Sequence, residues 1–179
     1  MPAGNARIAA IQATPVILDA EATVAKAVRL LGEASAQGVK LAVFPETFIP
    51  LYPSGVWAHQ AARFDGFDEM WARLWANSVD VPGPHIDRLI RACAEHMMYC
   101  MLGVNERESD KPGSLYNTMV LLGPDGMLWK HRKLMPTMHE RLFHGRTPRP
   151  CTPESATAAV DGGSRHPIGF GQRCRDEVP

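Results

Sequence analysis

The stretch Val39-Lys40-Leu41-Ala42-Val43-Phe44-Pro45-Glu46 decides how the fold is read. It is a short apolar run rich in Val and Phe, ended by a proline, which is the signature of a strand and its stop. Immediately before it, Val24, Val28 and Leu31 recur at i, i+4 and i+7. Asp19 stands ready to cap that helix, which runs to about Gln37, with Gly38 to end it. Earlier still, Arg7-Ile8-Ala9-Ala10-Ile11-Gln12 is short, apolar and β-rich, and reads as a buried strand. The chain therefore opens strand, helix, strand, which points to an α/β fold rather than an all-helical or all-strand one.

The pattern continues downstream. Ile49-Pro50-Leu51-Tyr52-Pro53-Ser54-Gly55 reads as a loop. Met70, Trp71, Leu74 and Trp75 share one face of a helix from about Phe67 to Asn77, and Pro82-Gly83-Pro84 separates it from a further helix carrying Ile86, Leu89, Ile90 and Cys93. A strand is expected around Tyr99 to Val104, then a polar loop from Asn105 to Ser114. Asn117–Leu122 and Met127–Lys133 flank Gly123-Pro124-Asp125-Gly126, a hairpin signal. The order β-α-β-α-α-β-β-β predicts a layered α/β domain with helices packed on a sheet, over residues 6–145. Residues 146–179 differ in kind: five Pro, four Gly and only four Leu, Ile, Val or Phe in 34 positions. They are expected to form an irregular, disordered tail.

Composition narrows the function. The 179 residues carry 19 Lys+Arg against 19 Asp+Glu, so the net charge of zero supplies no bulk attraction to nucleic acid or an anionic membrane. No apolar run is long enough for a transmembrane helix, and the first residues lack the pattern of a signal peptide. Cys93, Cys100, Cys151 and Cys174 show no C-x-x-C spacing, so a reducing, cytoplasmic setting is expected. Cys93, on an apolar helix face, and Cys100, inside a strand, read as core residues.

Three clusters of residues have chemistry to offer. Glu46 stands just past the end of an apolar strand, where α/β sheets build their sites and where partial burial would tune a carboxylate towards general-base work. The same residue also reads simply as a solvated loop glutamate. Trp129-Lys130-His131-Arg132-Lys133-Leu134-Met135-Pro136-Thr137 puts cations at another strand end, where a lysine either stabilises a developing anion or merely decorates an edge. His139-Glu140-Arg141-Leu142-Phe143-His144 invites comparison with the H-E-x-x-H zinc motif. Its histidines, however, are five apart, about 140° around a helix, and cannot jointly hold one metal ion. His131, His139 and His144 are accordingly expected at the surface or behind the residues of a site.

The ordered set of these segments resembles the nitrilase (carbon–nitrogen hydrolase) superfamily. The resemblance is carried by Ala10-Ile11-Gln12, by Phe44-Pro45-Glu46 with Tyr52-Pro53 behind it, and by Tyr116-Asn117-Thr118 followed by Gly123-Pro124-Asp125-Gly126. It is completed by His131-Arg132-Lys133-Leu134-x-Pro136-Thr137, Glu140-Arg141-Leu142 and Gly145. Leu51 departs from it, standing where the motif most often has Gly. The resemblance implies a four-layer α-β-β-α sandwich and a Cys-Glu-Lys site, with Glu46 the general base, Lys133 the group that stabilises tetrahedral intermediates, and Glu140 the second glutamate beside the lysine. The wording around Lys133 is similar to the nitrile-hydrolysing branch; an amidase-type member is the alternative. The implied reaction converts an organic nitrile and water to a carboxylic acid and ammonia through a cysteine thioimidate and thioester, without metal or cofactor. Tyr52, Trp57, His59 and Phe64 are pocket candidates, equally readable as packing residues.

The family's cysteine, on an apolar strand ending Cys-Trp-Glu, has no counterpart at the expected position after Lys133. Cys151 lies 18 residues after Lys133 between prolines, and Cys174 lies 41 after it between Arg173 and Arg175. Neither sits on a strand able to preorganise a nucleophile, so both are weak substitutes. The expectation is a nitrilase-type domain interrupted after its N-terminal half and inactive as it stands. A non-catalytic partner of longer relatives, or a degenerate fragment, is the competing reading. The family's habit of assembling implies a homo-oligomer or association with such relatives.

Overall fold

The computed structural model describes residues 5–53, 66–108, 110–111 and 113–145. Trp57, His59, Phe64, Cys151 and Cys174, and the whole of the expected tail, lie outside the described residues.

Five strands form one mixed sheet in the order β1-β2-β3-β4-β5: β1 Ile8–Ala10, β2 Leu41–Val43, β3 Tyr99–Arg107, β4 Leu115–Gly123 and β5 Gly126–Arg132. β1, β2 and β3 run parallel, and β3, β4 and β5 alternate antiparallel. The helices α1 Ala20–Ala36, α2 Phe67–Ala76 and α3 Pro84–His96 fall between strands, and a short 3₁₀ helix, Met138–Leu142, follows β5. Asp19 caps α1, its carboxylate accepting from Ala22 N at 2.9 Å, and Gly38 continues past the helix end at φ +76°, a conformation glycine adopts without penalty. Pro84 opens α3, where its missing N–H costs nothing.

The alternation of side chains along the strands divides the sheet into two faces. Cys100, Leu102 and Val104 of β3, with Val120 and Leu122 of β4, point to the helices and are fully buried with Val24 and Leu31 of α1 and Ile86, Leu89 and Cys93 of α3. Each such aliphatic side chain contributes about 1.5–3 kcal/mol by leaving water. The opposite face carries Tyr99, Gly103, Asn105, Asn117 and Met119, with Tyr99 and Met119 still exposed.

Two expectations are corrected. The Arg7–Gln12 segment is not a buried strand: β1 has three residues at the sheet edge, and Ile8 is 62% exposed. Nor is Asn105–Ser114 a loop from its first residue. β3 runs on to Arg107 and buries Asn105 and Glu106. Polarity misleads there because both side chains find partners inside. Glu106 Oε2 accepts from Thr118 Oγ1 at 2.6 Å and from Arg132 Nε at 2.9 Å, while its Oε1 accepts from Lys130 Nζ at 2.9 Å.

Candidate active site

Three turns at the ends of strands meet over the face of the sheet opposite α1 and α3. Glu46 stands in the turn after β2. That turn crosses directly over Gly103, where a Cβ would lie 2.3 Å from Thr47 N and 2.8 Å from Glu46 Cα, so a bare backbone is required beneath it. Lys133 follows β5 by one residue, and its backbone N–H still donates to Asn117 O at 2.8 Å, which holds the strand end in register. Glu140 is placed by the 3₁₀ helix, whose capping box joins Thr137 and Glu140 reciprocally.

Their side chains close into a ring. Lys133 Nζ donates to Glu46 Oε1 at 2.7 Å and to Glu140 Oε2 at 2.8 Å. Asn117 Nδ2 donates to the same two carboxylates, at 2.6 Å to Glu46 Oε1 and 2.7 Å to Glu140 Oε1. Thr137 N adds a third donor to Glu140, at 2.6 Å from Oε2. The two glutamates differ in access: the Glu46 side chain is 48% exposed, that of Glu140 1%. Glu140 is thus locked, and Glu46 is open to a small molecule. An ammonium has three N–H donors; among the described residues, two of Lys133's point at carboxylates.

Burial alone would raise the Glu140 carboxyl, but the hydrogen bonds from Lys133, Thr137 and Asn117 outweigh it and hold it below the usual range. Burial likewise works against the Lys133 cation, and its bonds to Glu140 and Glu46 more than compensate, so its pKa lies above that of a free lysine. Tyr52 stands close enough to be affected. Burial, then the charges of Glu140 and Glu46, raise its phenol, with Lys133 opposing.

Glu46, Lys133, Glu140 and Tyr52 are therefore brought together. Cys93 and Cys100 are not part of it; both are buried in the core between α3 and β3. His144 is wholly buried behind Glu140, Nδ1 lying 3.8 Å from Oε1. No group of three metal-ligating side chains occurs among the described residues. Asn117 was legible only as a motif residue without a task, and nothing in the sequence marked Asn105 or Gly103.

With this geometry in hand, comparison with known proteins is direct. Residues 7–170 match the carbon–nitrogen hydrolase family, and the chain belongs to it. An aliphatic nitrilase of Sinorhizobium fredii is 43% identical over 141 residues, which is 78% of this chain and 45% of that protein. An aliphatic nitrilase of Rhodococcus rhodochrous is 39% identical over 78% of this chain and 37% of its own length. The chain thus spans about two fifths of the length of these curated relatives. Among solved structures, an amidase from Nesterenkonia sp. superimposes with a TM-score of 0.57 at 20% identity, covering 81% of this chain and 49% of that one; it shares the α/β fold.

Proposed function

We propose that this chain carries the acid–base and electrostatic groups of a nitrile-hydrolysing site, and not its nucleophile. The observation that carries the reading is the Lys133 ammonium held between a buried carboxylate and a half-exposed one, 2.8 and 2.7 Å away. In this reading Glu46 moves protons, Lys133 offers its remaining N–H to the charge that develops on the attacked carbon's substituent, and Glu140 keeps Lys133 charged and aimed.

The reaction is that of the family. A cysteine thiol adds across the nitrile, its sulfur bonding to carbon while its proton passes through Glu46 to nitrogen, giving a thioimidate. One water then displaces ammonia to leave a thioester, and a second releases the carboxylic acid and restores the thiol. A nitrile is favoured over an amide because the relatives named nitrilase reach 39–43% identity, whereas the amidase likeness lies at the level of fold. The thiol itself is the missing part. Cys93 and Cys100 are buried in the core, and the residues flanking Cys151 and Cys174 in sequence include no apolar run.

The test is ammonia release from aliphatic nitriles and the matching amides, by the chain alone and by residues 1–145 joined to the remaining part of the Sinorhizobium nitrilase. The chain alone is expected to be silent and the chimera active on nitriles, with activity lost in Glu46→Gln and Lys133→Ala. Turnover by the chain alone would overturn the missing nucleophile while keeping the hydrolase. A folded chimera acting on amides only would make the site an amidase.

A further inference from the structure

Behind Glu140 lies a second set of contacts that the proposed chemistry does not use. Asn105, in the extended part of β3, donates from Nδ2 to Leu51 O at 2.8 Å and to Ile49 O at 3.2 Å. Its backbone N–H also donates to Ile49 O, at 2.7 Å. Two carbonyl acceptors fix which end of the amide is which, so Oδ1 must face the other way, and there it meets His144 Nε2 at 2.6 Å. Since Oδ1 only accepts, His144 carries a proton on Nε2, and burial, which lowers its pKa to about 4, keeps the second nitrogen unprotonated and the ring neutral. Nδ1 then presents a lone pair, has no donor among the described residues, and faces Glu140 Oε1 at 3.8 Å. The histidine is held from its backbone as well: His144 N donates to Glu140 O at 2.7 Å, and Gly145 N to Leu115 O at 2.8 Å.

We propose that His144 is a positioning residue: through Asn105 it ties the loop of residues 49–53, which carries Tyr52, to the turn that carries Glu140. The proposal rests on the reading of this cluster as the site, but not on turnover. A loop and a 3₁₀ turn are each weakly held by their own backbone, and the site needs both at fixed separation. One neutral imidazole bonded to Asn105, on a residue whose backbone N–H is bonded to Glu140 O, spans them without adding a charge that would compete with Lys133 for Glu140. A histidine protonated on Nδ1 would do the opposite and pull Glu140 Oε1 away from Asn117.

The consequence is readable at Tyr52, whose phenol is raised by burial and by the neighbouring carboxylates. The chain has three tyrosines, so the spectrum of ring-labelled protein is simple enough for Tyr52 to be followed by NMR. In the full chain, His144→Phe keeps the ring but removes the donor to Asn105. Tyr52 is expected to titrate lower, back towards an exposed tyrosine. His144→Gln restores an N–H to Asn105 and is expected to restore the Tyr52 titration. A folded His144→Phe protein with an unchanged Tyr52, or a Gln variant as disturbed as the Phe one, overturns the proposal. Should His144→Phe not fold, the wild-type chain decides: nitrogen-15 shifts of the imidazole must report the Nε2–H tautomer at neutral pH, and an Nδ1–H tautomer overturns it. None of these readouts requires a nitrile, so a chimera without hydrolase activity would leave them standing and would count against the proposed function alone.

Discussion

Gly103 lies directly beneath Glu46: a Cβ there would sit 2.8 Å from the Glu46 Cα, closer than carbon atoms approach without displacement. The neighbours are backbone atoms, which cannot swing aside as a flexible side chain would. Gly103→Ala must therefore push the turn after β2 away from β3, weakening Ile49 N to Gly103 O, already 3.3 Å long. We expect a loss of about 1–3 kcal/mol, the range for overpacking a well-filled position. Urea unfolding measures it. The same variant should lengthen the Lys133–Glu46 contact, so in an active chimera it should lower kcat more than a core substitution of equal stability cost, such as Ile86→Val. Equal kcat losses would show that Gly103 has no special tie to Glu46.

Lys133 separates two carboxylates that Asn117 otherwise holds together. In Lys133→Met the Glu140 side chain, 1% exposed, keeps its burial and loses its cation. In the folded chain its carboxyl is now held below the usual range, so its stabilisation is present above the unfolded value, about 4.3, and is lost as pH falls through the folded one. Without Lys133 burial is opposed only by the bonds from Thr137 and Asn117, so the folded value moves up and the stabilisation near neutrality shrinks. The variant should be about 1–3 kcal/mol less stable near neutrality, with the deficit shrinking in acid. Unfolding followed at pH 7 and pH 4.5 checks this; a deficit that grows in acid would refute it.

The fold was legible where periodicity and punctuation agree. Asp19 and Gly38 bound α1, and Gly123-Pro124-Asp125-Gly126 turns β4 into β5, because caps and tight turns depend on residues adjacent in sequence. The site was legible in part. Glu46, Lys133 and Glu140 were named from their motifs, though on position alone Glu46 and Lys133 read as readily as solvated charges. What sequence could not supply is partnership across the sheet. Asn105 and Glu106 look like loop residues until His144, Lys130 and Arg132, which come from distant strands and turns, are seen to satisfy them. Gly103 is silent for a similar reason, since its value lies in another segment's backbone.

Glu106 offers a control that separates stability from the site. It lies on the helix-facing side of β3, where burial would raise its carboxyl but the bonds from Arg132, Thr118 and Lys130 bring it below the ordinary range. Arg132 also sits over the Tyr116 ring, 4.0 Å from its centroid, so the guanidinium is fixed on two sides. Glu106→Ala leaves two cations without their shared, 2% exposed acceptor and should cost about 3–5 kcal/mol, with Glu106→Gln costing less. Denaturant midpoints should move while the Tyr52 titration stays put in the folded protein. A Tyr52 titration that moved with Glu106 would mean that the two faces of the sheet are coupled.

His144 should give the stability of this protein its own acid limb, apart from the carboxylates. Burial lowers its pKa to about 4; the charges of Glu140 and Glu46 oppose that shift, and Lys133 reinforces it. In the unfolded chain a histidine titrates near 6.5. Between those values the unfolded state binds a proton that the folded state refuses, so stability rises with pH across the window. The contribution is complete above about pH 6.5 and is lost progressively towards pH 4. The difference corresponds to about 3 kcal/mol. Glu140 and Glu106 begin to lose theirs only near and below pH 4.3, so the interval from 6.5 to 4.5 belongs mainly to His144. His144→Gln should flatten the curve of unfolding free energy in that interval and leave the steeper fall at lower pH. A variant with the wild-type slope would assign the limb to another histidine, and would mean that His144 is not held neutral by its surroundings.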